Sequence, residues 1–200
     1  MNRLSCAVVL MVLGVVASVH HAEAFDVDAA FPKGGYVLSL EAGYGEQFDA
    51  WNTKQITGLD AFNAGVRFGF LPWGAVGNGP IHGAFEIGLE PFYQRFIEPK
   101  TAFFAGLGAV GRYHFLSLGR LVPYAELGAS VGYTDIDVKE QQTNVVFLLF
   151  GGVGASYFLT ERTAVYAGYR FQHISNAYTA SPNDGINSHT GVVGVSFFFH

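Results

Sequence analysis

Two hundred residues with a formal net charge of −5 and a mean hydropathy of +0.27 exclude several classes at once. The mild charge and the lack of a basic run argue against a nucleic-acid partner. The one cysteine, Cys6, lies in a leader-like segment, so the rest of the chain has no disulfide staple, cysteine-based zinc site or thiol nucleophile. Half the residues are hydrophobic, only 14% are charged and 26 are glycine.

The chain opens with Arg3, an uncharged apolar run from about Leu4 to Val19, and Ala22-Glu23-Ala24. That order of positive, apolar and small residues predicts a signal peptide over 1–24, cleaved before Phe25. The run is too short for a convincing spanning helix, and Cys6 is at its wrong end for a lipid anchor. Removing 24 residues from 200 leaves 176, enough for one domain over 25–200. Beyond the leader, no apolar stretch reaches the roughly 18 residues a spanning helix needs. An exported, apolar, glycine-rich chain without helical spans predicts an all-β, eight-stranded antiparallel transmembrane β-barrel.

Alternation supplies the strands in order, near 36–44, 57–70, 81–93, 102–115, 124–133, 145–158, 164–175 and 187–199. The first sets Tyr36, Leu38, Leu40 and Ala42 against Ser39, Glu41 and Gly43. The second and third set Phe62, Ala64, Val66, Phe68 and then Phe85, Ile87, Leu89 against Arg67, Glu86 and Glu90. Arg112, Glu126 and Arg170 likewise oppose the bulky apolar set of their strands, whereas the sixth strand is apolar on both faces and its parity is open. A soluble sheet would turn such charges to water; a closed barrel of eight strands turns them inward, where acids and arginines pair. Its interior would be filled by side chains, so a diffusion pore is not expected. Connections 46–56, 96–101, 135–144 and 176–186 are expected outside the cell, and 72–80, 117–121 and 159–163 on the periplasmic side. The closing Phe197-Phe198-Phe199-His200 approaches the terminal aromatic usual in outer-membrane barrels.

The seventh strand carries chemistry. Parity puts His173 and Ser175 on the lipid-facing wall, and residues two apart on a strand lie roughly 6.6 Å apart. A histidine within reach of a serine hydroxyl can make it a nucleophile toward an ester carbonyl. By spacing alone the pair also reads as an interfacial polar couple.

The run Tyr169-Arg170-Phe171-Gln172-His173-Ile174-Ser175-Asn176-Ala177, followed by Asn183-Asp184-Gly185-Ile186-Asn187, resembles the PagL family of outer-membrane lipid A 3-O-deacylases. The resemblance implies catalysis by Ser175 as nucleophile and His173 as general base and then acid, with Asn176 helping to hold the oxyanion. It implies a substrate in the lipid A (lipopolysaccharide) of the outer leaflet, no cofactor and no metal, in a membrane-embedded protein of the bacterial outer membrane. A homodimer is left open. The family carries a glutamate at the position matching Asn187, so the third member here is an amide, and Asp184 is a loop candidate for a substitute acid. Asn187 can still accept the histidine N–H, as asparagine does in papain-like proteases, but offers no full charge to an imidazolium.

Other groupings read as ordinary. His189 is an interfacial polar residue; Arg112, His114, Glu86 and Glu90 form an interior ionic network; Asp135, Asp137 and Glu140 are a solvated acidic loop without the glycine of a calcium loop. Gly151-Gly152-Val153-Gly154 precedes no helix and cradles no phosphate. Three functions remain: a lipid A-modifying serine esterase, an inactive barrel of the same family with an envelope-structural or lipid-binding role, and an unrelated barrel with loop-borne adhesion. Short outer loops count against the last.

Overall fold

The computed structural model describes residues 25–49 and 57–199; the expected signal peptide, residues 50–56 and His200 lie outside them. Eight long antiparallel strands close on themselves: β1 (Tyr36–Gln47), β2 (Asp60–Phe70), β4 (Gly83–Glu98), β5 (Ala102–Phe115), β6 (Leu121–Thr134), β7 (Val145–Thr160), β8 (Thr163–Ser175) and β9 (Ile186–Phe199). A two-residue β3 (Ala75–Val76) pairs with the start of β4. The order β2-β1-β9-β8-β7-β6-β5-β4 is closed by pairing β2 to β4, so no long strand has a free edge. The β2–β4 ladder skips Val66 and Arg67, opposite Glu90 and Pro91. A proline has no N–H to give a ladder, and the gap falls where it stands.

The expected alternation holds around the ring. Tyr36, Leu40, Phe62, Phe68, Ile87, Leu89, Leu107, Leu127 and Val131 are exposed on the outer wall, while Arg67, Glu86, Glu90, Arg112, Glu126 and Arg170 are buried inside. β7 resolves its open parity: Val145, Phe147, Leu149, Val153 and Tyr157 face out, and Val146, Leu148, Phe150 and Phe158 face in. Apolar residues all round the outside and charges within are the inverse of a soluble protein and the arrangement lipid requires.

The interior is an ionic plug. Glu126 receives Arg112 at 2.7 Å, Arg170 at 2.7 Å and Arg67 at 3.1 Å. Arg67 also meets Glu86 at 3.2 Å, and Arg170 meets Glu41 at 2.5 Å and Glu90 at 3.3 Å. Glycines make the room: a Cβ on Gly154 would lie 2.5 Å from the Tyr124 ring, whose face carries Arg112 at 4.0 Å. The ions that the sequence placed inside therefore pair with one another, as burial of charge demands.

Both ends are closed by segments outside the long strands. At the end holding Tyr36 and Phe199, a 3-10 turn over Asp28–Ala30 sets Phe31 into the barrel, 5.1 Å from Phe198 and 4.8 Å from His114 between ring centroids. At the opposite rim, loop 135–144 buries Ile136 and Val138 with Leu59, Ile174 and Ile186. This corrects the expectation of a solvated acidic loop. Glu140 is fully buried, whereas Asp135, which accepts the Phe103 N–H at 2.7 Å, and Asp137, beside Lys100, keep the expected exposure.

Candidate active site

The site residues gather on the outer wall at the rim capped by loop 135–144. In β8 the outward positions run Val165, Ala167, Tyr169, Phe171, His173 and Ser175; in β9 they run Val193, Gly191, His189 and Asn187. Antiparallel register sets His173 directly opposite Asn187, and Ser175 opposite Phe147 of β7. Direct cross-strand neighbours have Cβ atoms about 4.5–5.5 Å apart, close enough for side chains to meet.

His173 and Asn187 do meet. The ring Nδ1 lies 2.7 Å from Asn187 Oδ1. A carbonyl oxygen only accepts, so Nδ1 carries the proton, and in the neutral ring Nε2 is left with a lone pair. Asn187 is 1% exposed despite its outward parity, and its backbone carbonyl receives the Phe48 N–H at 3.0 Å. Gly185 completes the seat of the imidazole. Its φ is +76°, and a Cβ there would come within 2.6 Å of His173 Cε1. Both backbone and space require glycine at this position.

Ser175 is half-buried at the end of β8, on the same face as His173 and two residues from it. Its hydroxyl makes no hydrogen bond among the described residues, to His173 or to any other group. Such a contact commonly tightens only when substrate arrives. Asn176 is organised differently from an oxyanion donor. Its side-chain N–H2 donates to Ala180 O at 3.0 Å and Pro182 O at 3.2 Å, and its backbone N–H donates to Asn183 Oδ1 at 2.9 Å. Directly after it, Ala177 and Tyr178 both take positive φ, 51° and 60°. Non-glycine residues seldom adopt that region, and such strain collects at functional sites. Their backbone N–H groups have no hydrogen-bond partner among the described residues.

The remaining candidates separate. Asp184 is exposed in the loop and donates its backbone N–H to Glu140 O at 3.0 Å; no contact joins its carboxylate to His173. His189 is one outward step below Asn187, hydrogen-bonded to the Tyr169 hydroxyl and stacked on Phe48 with 3.6 Å between centroids. It forms an interfacial aromatic cluster rather than part of the His173 pair. An open apolar groove of about 610 Å³ on the same wall is lined by Leu40, Ala42, Ala155, Val165, Ala167 and Val193 among others. Ala167 is eight residues from Ser175, about 26 Å along a strand, so the groove belongs to the general lipid-facing surface. Sequence reasoning did not single out Gly185, Asn183 or Phe48 individually. The first two stand in the Asn-Asp-Gly run; nothing in the local pattern signals Phe48.

A family model described as lipid A 3-O-deacylase (PagL) matches residues 43–196. The chain belongs to this family. Among solved structures it is similar to the outer membrane enzyme PagL, with 18% identity, a TM-score of 0.61 and coverage of 78% of this chain and 97% of that one. It is also similar to Neisserial surface protein A (NspA), with 16% identity, a TM-score of 0.53 and coverage of 84% and 99%. No curated protein matches the chain. Family and fold together make it a lipid A deacylase-like barrel of the outer membrane, of the ester hydrolase kind.

Proposed function

We propose that this PagL-family barrel is a serine esterase that removes the 3-O-linked acyl chain from lipid A, using Ser175, His173 and Asn187. The observation that carries the reading is the His173–Asn187 hydrogen bond, 2.7 Å long, on the lipid-facing wall one outward step from Ser175. It fixes the tautomer in which Nε2 accepts a proton, the form a general base needs.

Ser175 Oγ attacks the ester carbonyl carbon while His173 Nε2 takes its proton. The oxyanion collapses with cleavage of the bond to the sugar oxygen, which takes the proton back from His173 and leaves as an alcohol. Water then attacks the acyl-Ser175 ester, again deprotonated by His173, and the fatty acid departs with Ser175 restored. Asn176 Nδ2 is occupied within its own loop, so we assign it the shaping of that loop. The unpartnered N–H groups of Ala177 and Tyr178 are the donors nearest in sequence to Ser175 for the developing oxyanion. One such donor typically contributes about 2.7–4 kcal/mol to lowering the barrier.

The test is mass spectrometry of lipid A from cells expressing the protein or its Ser175→Ala variant. Loss of one 3-hydroxy fatty acid from the wild type, absent in the variant, is the expected outcome. Unchanged lipid A with a folded barrel in the membrane would overturn the esterase and leave an envelope or lipid-binding role.

A further inference from the structure

Loop 135–144 contains a fully buried carboxylate that the proposed chemistry does not use. Glu140 Oε1 accepts the Thr57 backbone N–H at 2.8 Å and Gln47 Nε2 at 3.2 Å, and Oε2 accepts the Thr57 hydroxyl at 2.6 Å. These donors flank the connection between β1 and β2, and Gln47 in turn accepts the Leu59 N–H at 2.8 Å. From the other side, the Glu140 backbone carbonyl accepts the Asp184 N–H at 3.0 Å. The next residue, Gln141, forms isolated antiparallel bridges to Val138 and to Asn183. Asn183 Oδ1 then holds the backbone N–H of Asn176, the residue after Ser175, at 2.9 Å.

A buried carboxylate is retained only where its hydrogen bonds repay desolvation, and the three donors among the described residues meet that condition. The chain of contacts runs without a break from the β1–β2 connection through Glu140 to the segment that follows the nucleophile. That segment holds two strained residues, Ala177 and Tyr178, and such a conformation persists only where its surroundings over-determine it.

We infer that Glu140 is a positioning residue, clamping loop 135–144 to the β1–β2 connection so that segment 176–185 is held in the conformation that Ser175 and His173 need. The inference rests on the reading of Ser175 as nucleophile for its catalytic consequence, but not for its structural one. Glu140→Gln keeps the volume and places an N–H2 against the Thr57 and Gln47 donors. Thr57→Val removes one donor and spares the carboxylate, and Asn183→Ala cuts the same chain at its far end.

The experiment uses the full barrel in detergent micelles, with hydrogen exchange by mass spectrometry and steady-state deacylation of purified lipid A. Glu140→Gln should raise exchange across 176–185 about tenfold, leave strand amides protected, and lower kcat about tenfold with little change in KM. Thr57→Val should do the same to a smaller extent. Asn183→Ala should match Glu140→Gln, and the double variant should be no worse than the worse single one. Wild-type exchange over 176–185 in both Glu140→Gln and Thr57→Val, or losses that multiply in the double variant, would overturn the clamp. Should Glu140→Gln fail to fold, Thr57→Val alone decides. If the wild-type barrel releases no fatty acid, the esterase reading falls, while the exchange data still settle whether Glu140 holds the segment.

Discussion

At the scale of single residues, the proposed mechanism makes Asn187 the position that sets how fast the site can work. Asn187 Oδ1 lies 2.7 Å from His173 Nδ1, but an amide cannot balance the positive charge that His173 would gain on taking a proton from Ser175. The Asn187 Nδ2 is buried without a partner among the described residues, so the site tolerates a second terminal atom while making no use of it. Asn187→Asp has the same shape and adds the charge. Hydrogen bonds to charged groups contribute roughly 1.5–3 kcal/mol, which corresponds to about ten- to a hundredfold in rate. The variant should therefore raise kcat for lipid A deacylation within that range. An unchanged kcat would mean that proton transfer to His173 does not limit the rate.

At the scale of elements, the strands were legible because lipid and an ion-filled interior impose opposite chemistry on alternate residues. Glu41, Arg67 and Glu126 each fixed the inner face of their strand before any contact was known. β7 was not legible, since Val146, Leu148 and Phe150 are as apolar as their outward neighbours, and register with charged β6 and β8 decides its parity. The family resemblance singled out Asn187 as the partner of His173 and the strand register brings the two together, whereas Glu140 was hidden because burial of a loop acid depends on partners distant in sequence. The N-terminal turn was missed for the same reason. It is tied down by His82, whose Nε2 lies 2.8 Å from Asp28 Oδ1 and whose Nδ1 lies 3.1 Å from Gly77 O. Both partners only accept, so the doubly protonated ring satisfies both, and the Asp28 hydrogen bond pushes the His82 pKa above its ordinary value. A raised folded-state pKa gives stabilisation that is complete below the unfolded value of about 6.5 and lost as pH rises through the folded one. Between about pH 6 and about pH 9, amide protection at 25–31, corrected for intrinsic exchange, should therefore fall with the barrel intact, and His82→Gln should remove the dependence. Equal protection at both values would exclude a charged His82 as the tie.

At the scale of the whole molecule, stability rests on two opposed surfaces, an outer wall that lipid solvates and an interior that must satisfy its own charges. Glu126 is the junction of the second. Its side chain has no exposed surface, and it receives three arginines from three strands, Arg67 of β2, Arg112 of β5 and Arg170 of β8. A buried ion pair need not be worth more than an apolar replacement, but removing one partner strands the other charge where water does not reach. Here a single loss affects three guanidinium groups. Glu86, Glu90 and Glu41 still engage Arg67 and Arg170, whereas Glu126 is the acceptor of the one Arg112 ion pair among the described residues. Glu126→Gln should thus cost about 3–5 kcal/mol, at the upper end of single substitutions. The measurement is the urea midpoint for unfolding from lipid vesicles, followed by the heat-modifiable shift in gel mobility. Glu41→Gln, near the margin of the network, should cost less, because Arg170 keeps Glu90 and Glu126. Equal midpoints for the two variants would show that water or rearranged arginines replace either acid alike, and that the interior is a fluid pool of charge rather than a network centred on Glu126.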